Sequence, residues 1–516
     1  MALKWLVGSK VDHPMANPVQ ARQIVAELPD QDATLALEKI AEWLESVNRT
    51  DGFKVDRRYE CVDLLDGAAR RHLRELTQEY LSTPRVQKFQ ENRLWNAAFG
   101  YSKELGEAYV RCIKECVGGF DGATAAEKVL PAIVARALRA LAVQLKWTLL
   151  RYGLVERRIW THLALLYRLA EEKGMSEEAI AVYPVPHPRT TVRREFLKAL
   201  MLPASSLDVL TPVKQQIAER TVAHFAESFR LSAEAQGCTH IFDLAAPRPP
   251  ARLVPGIAQT GLLYFGAGDA LAGLDQLTEQ VAARGGVTHD FGLGTRYHKD
   301  EVIPVLRHLA QYWSGTPPAR GAERRPTAAR ITVVPGADQL FAVLEPSATV
   351  STVDIGRNQT AESWIVENVS DSGCGAIVPP QRIDWVKVGA LIGMKSETSE
   401  YLGIGLIRRI TRDAHHQRRV GIQVLTRTAV PVTISKASTM SSLNFDLREE
   451  TAILLNVKPD DRGEVEMLLR EGIFNGRENL EMTLQRRSYR LVPSRVLETG
   501  EDFLWVRFKV TQQQDE

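Results

Sequence analysis

The spacing of apolar positions along the chain changes once, near residue 320. Before that point it is helical. In Pro131–Tyr167 and the leucine ahead of it, Leu130, Ile133, Val134, Ala137, Leu138, Leu141 and Leu145 recur three or four residues apart, which predicts one buried helix face. Similar spacing predicts helices over Asp32–Val47, Gly67–Tyr80, Ser176–Tyr183, Val192–Leu202 and Pro212–Leu231. Pro84, Gly118-Gly119, the run Pro184–Pro188 and Pro247-Arg248-Pro249-Pro250 break the pattern between them. No fixed-period repeat is visible. The expectation for residues 1–315 is an all-α domain.

After residue 330 the period becomes two. Ile331–Val334, Leu340–Leu344, Ser363–Ser370, Ala376–Val378, Trp385–Met394, Tyr401–Ile410 and Val420–Leu425 read as strands. In the fifth of these, Val386, Val388, Ala390, Ile392 and Met394 would share a face. Turn residues lie between strands at Pro379-Pro380, Glu397-Thr398-Ser399 and Asp413–Gln417. Short strands with frequent turns predict a small antiparallel barrel over 331–427. Strands continue at Val430–Ile434, Thr451–Val457, Glu464–Arg470, Leu480–Arg486, Tyr489–Val496 and Phe503–Val510. They predict a β-rich segment over 428–510, either a second barrel or an extension of the first. Residues 511–516 read as a disordered tail. The fold class expected is therefore multidomain α+β.

Between the two regimes, residues 316–330 read TPPARGAERRPTAAR, a linker by its proline and glycine. Arg320, Arg324, Arg325 and Arg330 stand there against one acid, Glu323. The cluster matters because the chain as a whole is nearly neutral: 65 basic and 63 acidic residues give a net charge of +2. That balance excludes a general attraction to nucleic acid or anionic membrane. A length of 516 residues exceeds a single core, and 44% hydrophobic composition is that of a globular protein. Cys61, Cys112, Cys116, Cys238 and Cys374 follow no disulfide or zinc spacing. With no signal-peptide pattern and no run of about 20 apolar residues, a soluble cytoplasmic protein without membrane insertion is expected.

The candidate chemistry sits at the end of one predicted strand. Asn368 and Ser370 are two apart, so their side chains share a face, and Asp371-Ser372-Gly373 turns the chain. Gly373 supplies positive φ or a close backbone approach. The result is a polar ledge at a barrel rim, able to hydrogen-bond a base edge or a phosphate.

The segment WIVENVSDSGCGAIVP resembles the core of a PilZ domain, whose signature is Asp or Asn, any residue, Ser, any two residues, Gly. Asn368, Ser370 and Gly373 match it in order and spacing, and LGIGLIRRI and VGIQVLT resemble the closing strands of that barrel. The resemblance covers about residues 320–427. It implies a bacterial receptor for cyclic di-GMP, with the nucleotide as ligand and no further cofactor. PilZ domains also carry two arginines separated by three residues, just before the first strand. Here Arg325 and Arg330 adjoin the strand but have four residues between them, and Arg320 and Arg324 have three but lie further away. The stretch from Arg330 to Asn368, 368 − 330 = 38 positions, is longer than the family's. An inserted loop around Gly336–Gln339 or Ser347–Gly356 would absorb the excess at small entropic cost.

The chemistry suits that ligand. Arginine pairs bidentately with phosphate oxygens and with guanine O6 and N7, and its plane stacks on a purine. The expected binding set is Arg324, Arg325, Arg330, Asn368, Ser370 and Gly373. Arg408-Arg409 and Arg418-Arg419 read as solvated hairpin faces, and His415-His416 as a turn. His289-Asp290 and His298 read as loop polar groups. Gly266-Ala-Gly268 and Gly292-Leu-Gly294 lack the rest of a phosphate-loop signature and read as turns. No metal site and no enzyme motif can be assembled. Trp364 and Trp385 read as packing in or around the barrel. The resulting expectation is a non-catalytic receptor that signals to a protein partner through the helical domain, by reorienting that domain. The alternative is a PilZ-fold interaction protein that has lost the nucleotide. RNA binding through the linker is disfavoured by the neutral charge and the lack of an aromatic-basic stripe.

Overall fold

A computed structural model describes residues 11–84, 87–183, 189–254, 261–285, 297–316, 318, 322–345, 361–380, 385–413, 415, 417–436, 449–474, 478–484 and 487–512. Arg320, His289, Asp290, Gly292, Gly294 and His416 lie outside them, as do residues 184–188 and residues 347–356, where an inserted loop was expected. By contacts the chain forms two units, Met1–Leu207 with Pro212–Ala319, and Asp208–Thr211 with Arg320–Glu516. Helices fill the N-terminal half and antiparallel barrels the C-terminal part, so the multidomain α+β class holds.

The first unit contains α1 (Pro18–Ala26), α2 (Ala33–Arg49), α3 (Val55–Ser82), α4 (Lys88–Val117), α5 (Ala123–Glu127), α6 (Leu130–Leu150), α7 (Arg157–Glu172), α8 (Val192–Ala204) and α9 (Pro212–His224). The seven apolar positions that predicted α6 are all buried. The Asp32 side chain starts α2 by accepting from the Leu35 amide, and Thr191 starts α8 by accepting from Arg194. Ser176–Tyr183 is not a helix. Its backbone instead pairs Ile180 with Thr190, and the Tyr183 hydroxyl donates to Asp66 at 3.1 Å. This piece is too short to beat those tertiary bonds by helix propagation.

The unit also holds a feature that an all-α reading of 1–315 leaves out. β1 (Arg230–Ser232), β2 (His240–Asp243), β3 (Ala251–Arg252) and β4 (Leu262–Gly266) form a sheet in the order β1-β4-β2-β3. With two to five residues each, the strands are too short for alternation to register. The predicted helix to Leu231 therefore ends at His224. Gly268, at φ +54°, turns the chain from β4 into α10 (Ala270–Arg284), which precedes α11 (Lys299–Trp313). His298 and Glu301 form a capping box at the start of α11.

In the second unit β5 (Arg325–Pro335), α12 (Gly336–Val343), β6 (Glu362–Val369), β7 (Gly373–Val378), β8 (Leu391–Ser396), β9 (Gly403–Arg412) and β10 (Arg418–Thr426) make the first barrel. It closes antiparallel in the order β10-β7-β6-β5-β8-β9. A second barrel follows, from β11 (Val430–Lys436), β12 (Glu450–Leu454), β13 (Glu464–Arg470), β14 (Leu480–Leu484), β15 (Arg487–Thr499) and β16 (Phe503–Gln512). Its order is β11-β12-β13-β16-β15-β14, closed by pairing of β14 with β11. The C-terminal segment is thus a barrel of its own.

Two strand predictions change. Leu340–Leu344 lies in and just after the helix α12, because Gly336 at φ +76° breaks β5 and Ala337, Leu340 and Phe341 then bury one helical face. Residues 385–390 are a 3₁₀ step and turn, with Gly389 at φ +84°, so β8 begins only at Leu391. The two barrels share a core. Leu340 and Phe341 of α12 and Leu391, Ile404 and Leu406 of the first barrel cluster with Ile453, Leu468 and Phe503 of the second. Arg408 on β9 reinforces this join by pairing bidentately with Glu498 on β15, at 2.8 and 2.7 Å.

Candidate functional site

The arginine segment is not a linker up to the first barrel strand. β5 begins at Arg325 and runs antiparallel to β6, with Arg325 opposite Val369 and Pro326 opposite Asn368. The backbone that carries the arginines is therefore paired to the strand that ends in the Asn-x-Ser motif. Between Pro326 and Ala329, β5 advances three residues while β6 advances two, from Asn368 to Val366. That is a β-bulge, one residue long in excess. It has a direct bearing on arginine spacing. Arg325 to Arg330 is five positions, but their partners Val369 and Ile365 are four positions apart. The bulge takes up the residue by which this pair exceeds a three-residue gap.

A second bulge faces it. Val366 pairs with Ala376 and Asn368 with Gly375, leaving Glu367 as the extra residue of β6. Asn368 thus sits where both of its neighbouring ladders are irregular, which increases local twist and re-aims side chains. Its amide lies over Gly375, where a Cβ would come within 2.9 Å of it. Its side-chain oxygen is buried without a hydrogen-bond partner among the described residues.

Ser370 closes the ledge. Its backbone N–H donates to the Gly373 carbonyl at 2.7 Å, and its hydroxyl donates to the same oxygen at 3.1 Å. Gly373 does not have positive φ, so of the two roles foreseen for it close approach is the operative one. A Cβ there would lie 2.4 Å from the Ile422 carbonyl oxygen of β10. The Val424 amide donates to the Ser372 carbonyl at 3.0 Å, fixing the turn against β10.

Arg324 and Arg325 are exposed beside this turn. Arg325 lies 3.6 Å from the exposed Asp371 carboxylate. Burial pushes the Cys374 thiol up to about 11, and the charge of Arg324 acts in the opposite direction, which locates that guanidinium near β7. Arg330 is elsewhere. It is exposed opposite Ile365, four β6 positions from the partner of Arg325, or roughly 13 Å along the strand at ~3.3 Å per residue. The structure thus gathers Arg324, Arg325, Asn368, Ser370 and Gly373 at one end of β5–β7 and sets Arg330 further down the outer face.

Of the remaining basic pairs, Arg408, Arg409 and Arg419 have carboxylate partners, whereas Arg418 is buried and donates to the Val386 carbonyl at 3.4 Å, so it is not part of a solvated hairpin face. Arg408 holds Gln423 and Glu498, and Arg419 lies 3.4 Å from both Glu367 and Asp413. Asp413 also accepts from the amides of His415 and Gln417, a hairpin turn around His415. Trp364 and Trp385 stack at 5.7 Å and both donate to Glu362, at 2.9 and 2.8 Å. The reading of single segments missed a cationic cavity in the helical unit, because its charged residues come from four separate helices. The signal present was Arg70 and Arg74 four apart, and Arg139 and Lys146 seven apart, each pair on one helix face.

Residues 19–236 match the model of a family described as the N-terminal domain of the cyclic-di-GMP receptor FimW. No curated protein matches the chain.

Proposed function

We propose that this chain is a cyclic di-GMP receptor whose first barrel is a PilZ domain, with the nucleotide held at the ledge of Arg324, Arg325, Asn368, Ser370 and Gly373. The observation that carries the reading is the pairing of β5 with β6, which sets Arg325 beside the Asn368–Gly373 turn and takes up the surplus residue in a bulge. The family match of residues 19–236 to the N-terminal domain of a cyclic-di-GMP receptor supports it independently, since it lies outside the barrel. Arg324 and Arg325 would pair with phosphate oxygens or guanine edges, and Ser370 would offer its oxygen lone pairs. Arg330 would reach the ligand along the outer face of β5. Nucleotide binding would then reorient the helical unit and change its contact with a protein partner in the cytoplasm, by favouring one arrangement over another. No step of this function needs catalysis.

Asp371 favours a second reading. Its carboxylate, 3.6 Å from Arg325, competes with a phosphate for that guanidinium. In that reading the barrel keeps its fold as an interaction module without the nucleotide. Calorimetric titration of the full chain with cyclic di-GMP decides between them. Binding that weakens at least about tenfold in Arg325→Ala and in Ser370→Ala supports the receptor. No measurable binding by the wild-type chain leaves only the interaction module.

A further inference from the structure

In the helical unit, α3, α4, α6, α8 and α9 surround a cavity of about 590 Å3. Six cations line it: Arg70 and Arg74 on α3, Arg139 and Lys146 on α6, Lys198 on α8 and Arg220 on α9. Three acids answer them, Asp66, Glu195 and Glu219, so the lining carries 6 − 3 = 3 surplus positive charges. The acids are already occupied. Glu195 accepts from Arg139 at 2.7 and 3.1 Å and lies 2.6 Å from the Lys198 ammonium. Glu219 lies 3.4 Å from Lys146 and 3.5 Å from Arg220. Each of these carboxylates thus serves two cations. Asp66 is buried and accepts from the hydroxyls of Tyr101, Tyr109 and Tyr183 at 3.1, 2.6 and 3.1 Å.

Two further observations point inward. Gln216 lines the cavity at 5% exposure, and its amide oxygen has no partner among the described residues while its amide nitrogen donates to Glu219 at 3.2 Å. Burial drives the ammonium groups of Lys146 and Lys198 below their usual range, with Arg220 and Arg139 respectively adding to the effect and a glutamate opposing it in each case. Here the surplus surrounds open space. That space falls within the roughly 300–1,000 Å3 of small-molecule sites. Arginine forks from two sides, Arg74 and Arg220 being the exposed ones, suit phosphate oxygens.

We infer that this cavity is a second ligand site, for a small phosphorylated molecule carrying at least two negative charges. It belongs to the helical unit alone and is independent of the barrel ledge. The ligand bridges α3, α6 and α9 and ties them together, so its presence sets the stability of the unit that matches the family model.

The test titrates the full chain calorimetrically with inorganic pyrophosphate at about 0.15 M salt, where exposed surface attraction is screened over ~8 Å. Wild type is expected to bind, and the double variant Arg74→Gln/Arg220→Gln to bind at least about tenfold more weakly. Both positions are exposed, so the variant is expected to keep the wild-type circular dichroism and melting temperature without ligand. Ser370→Ala is expected to bind pyrophosphate as wild type does, which separates this site from the barrel. No binding by wild type at millimolar pyrophosphate, or equal binding by the double variant, overturns the proposal.

Discussion

Replacing Gly373 by alanine tests the barrel ledge at its tightest point. The added Cβ would sit 2.4 Å from the Ile422 carbonyl oxygen, and the atom it meets is backbone, paired in the β7–β10 ladder. Restoring even a 3.0 Å contact needs a shift of about 3.0 − 2.4 = 0.6 Å in one strand. That strand is not free to move. Gln423 pairs with Gly373 and Ile422 with Cys374, while the Val424 amide holds the Ser372 carbonyl at 3.0 Å. Forcing one methyl into such a position costs about 2–3 kcal/mol. For a unit of this size, that lowers the melting temperature by roughly 4–12 °C. The assay is thermal unfolding of the full chain followed by circular dichroism and by tryptophan emission, to which Trp364 and Trp385, stacked at 5.7 Å, contribute two of the nine tryptophans. Gly463→Ala gives the comparison. It has φ +74° but open space around its Cβ position, so it pays conformational strain without a clash. A Gly373→Ala chain that melts within a degree of wild type would refute the account of this glycine as a contact residue. It would also remove the physical reason for a glycine in that place of the motif.

Glu362→Gln leaves one acceptor oxygen for the two indole N–H groups of Trp364 and Trp385. Because Trp364 is fully buried, the variant is expected to lose about 1–3 kcal/mol in denaturant unfolding and to change tryptophan emission; unchanged emission and midpoint would contradict the shared-carboxylate geometry. Glu195 is buried, which opposes its ionisation, yet Lys198 and Arg139 hold its carboxyl down at about 2. Its stabilising effect is therefore full above the usual 4.5 and is lost as pH falls toward about 2, a contribution of ~3 kcal/mol at neutral pH. Glu195→Gln is expected to lower stability at pH 7 by that order and to flatten the acid limb of the stability profile; an unaltered acid limb would refute the assignment.

The sequence pattern carries the fold where one period governs a long stretch. α6 was legible from seven apolar positions because all seven face a core. β13 was legible to the residue because both its ends are set by strong polar boundaries. It fails where tertiary bonds replace a local rule. Leu340–Phe341 lies in five apolar-rich residues that suit strand or helix equally, and Gly336 at φ +76° decides for helix. Residues 176–183 have helical spacing, but a pairing of Ile180 with Thr190 and a tyrosine bonded to Asp66 hold them out of a helix. The ledge was legible because Asn368, Ser370 and Gly373 lie within six residues. The position of the arginines was not, since it depends on which strand β5 joins and in what register.

That register changes what the extra residue means. Read along the chain, the five-position step from Arg325 to Arg330 is one too long, and in extended backbone one residue displaces a guanidinium by ~3.3 Å. Read across the sheet, the step is four, because the bulge between Pro326 and Ala329 lets β5 carry one residue more than β6 over the same length. A bulge also turns the strand, so the insertion alters direction rather than reach. The consequence falls on the two arginines unequally. Arg325 stays beside Asp371 at the ledge, while Arg330 lies beyond the bulge on the outer face. Loss of the Arg325 guanidinium must therefore cost more affinity for a ligand on the ledge than loss of Arg330. The reverse order would place that ligand along the outer face of β5, against the half-exposed Ile365, and not at Asn368–Gly373.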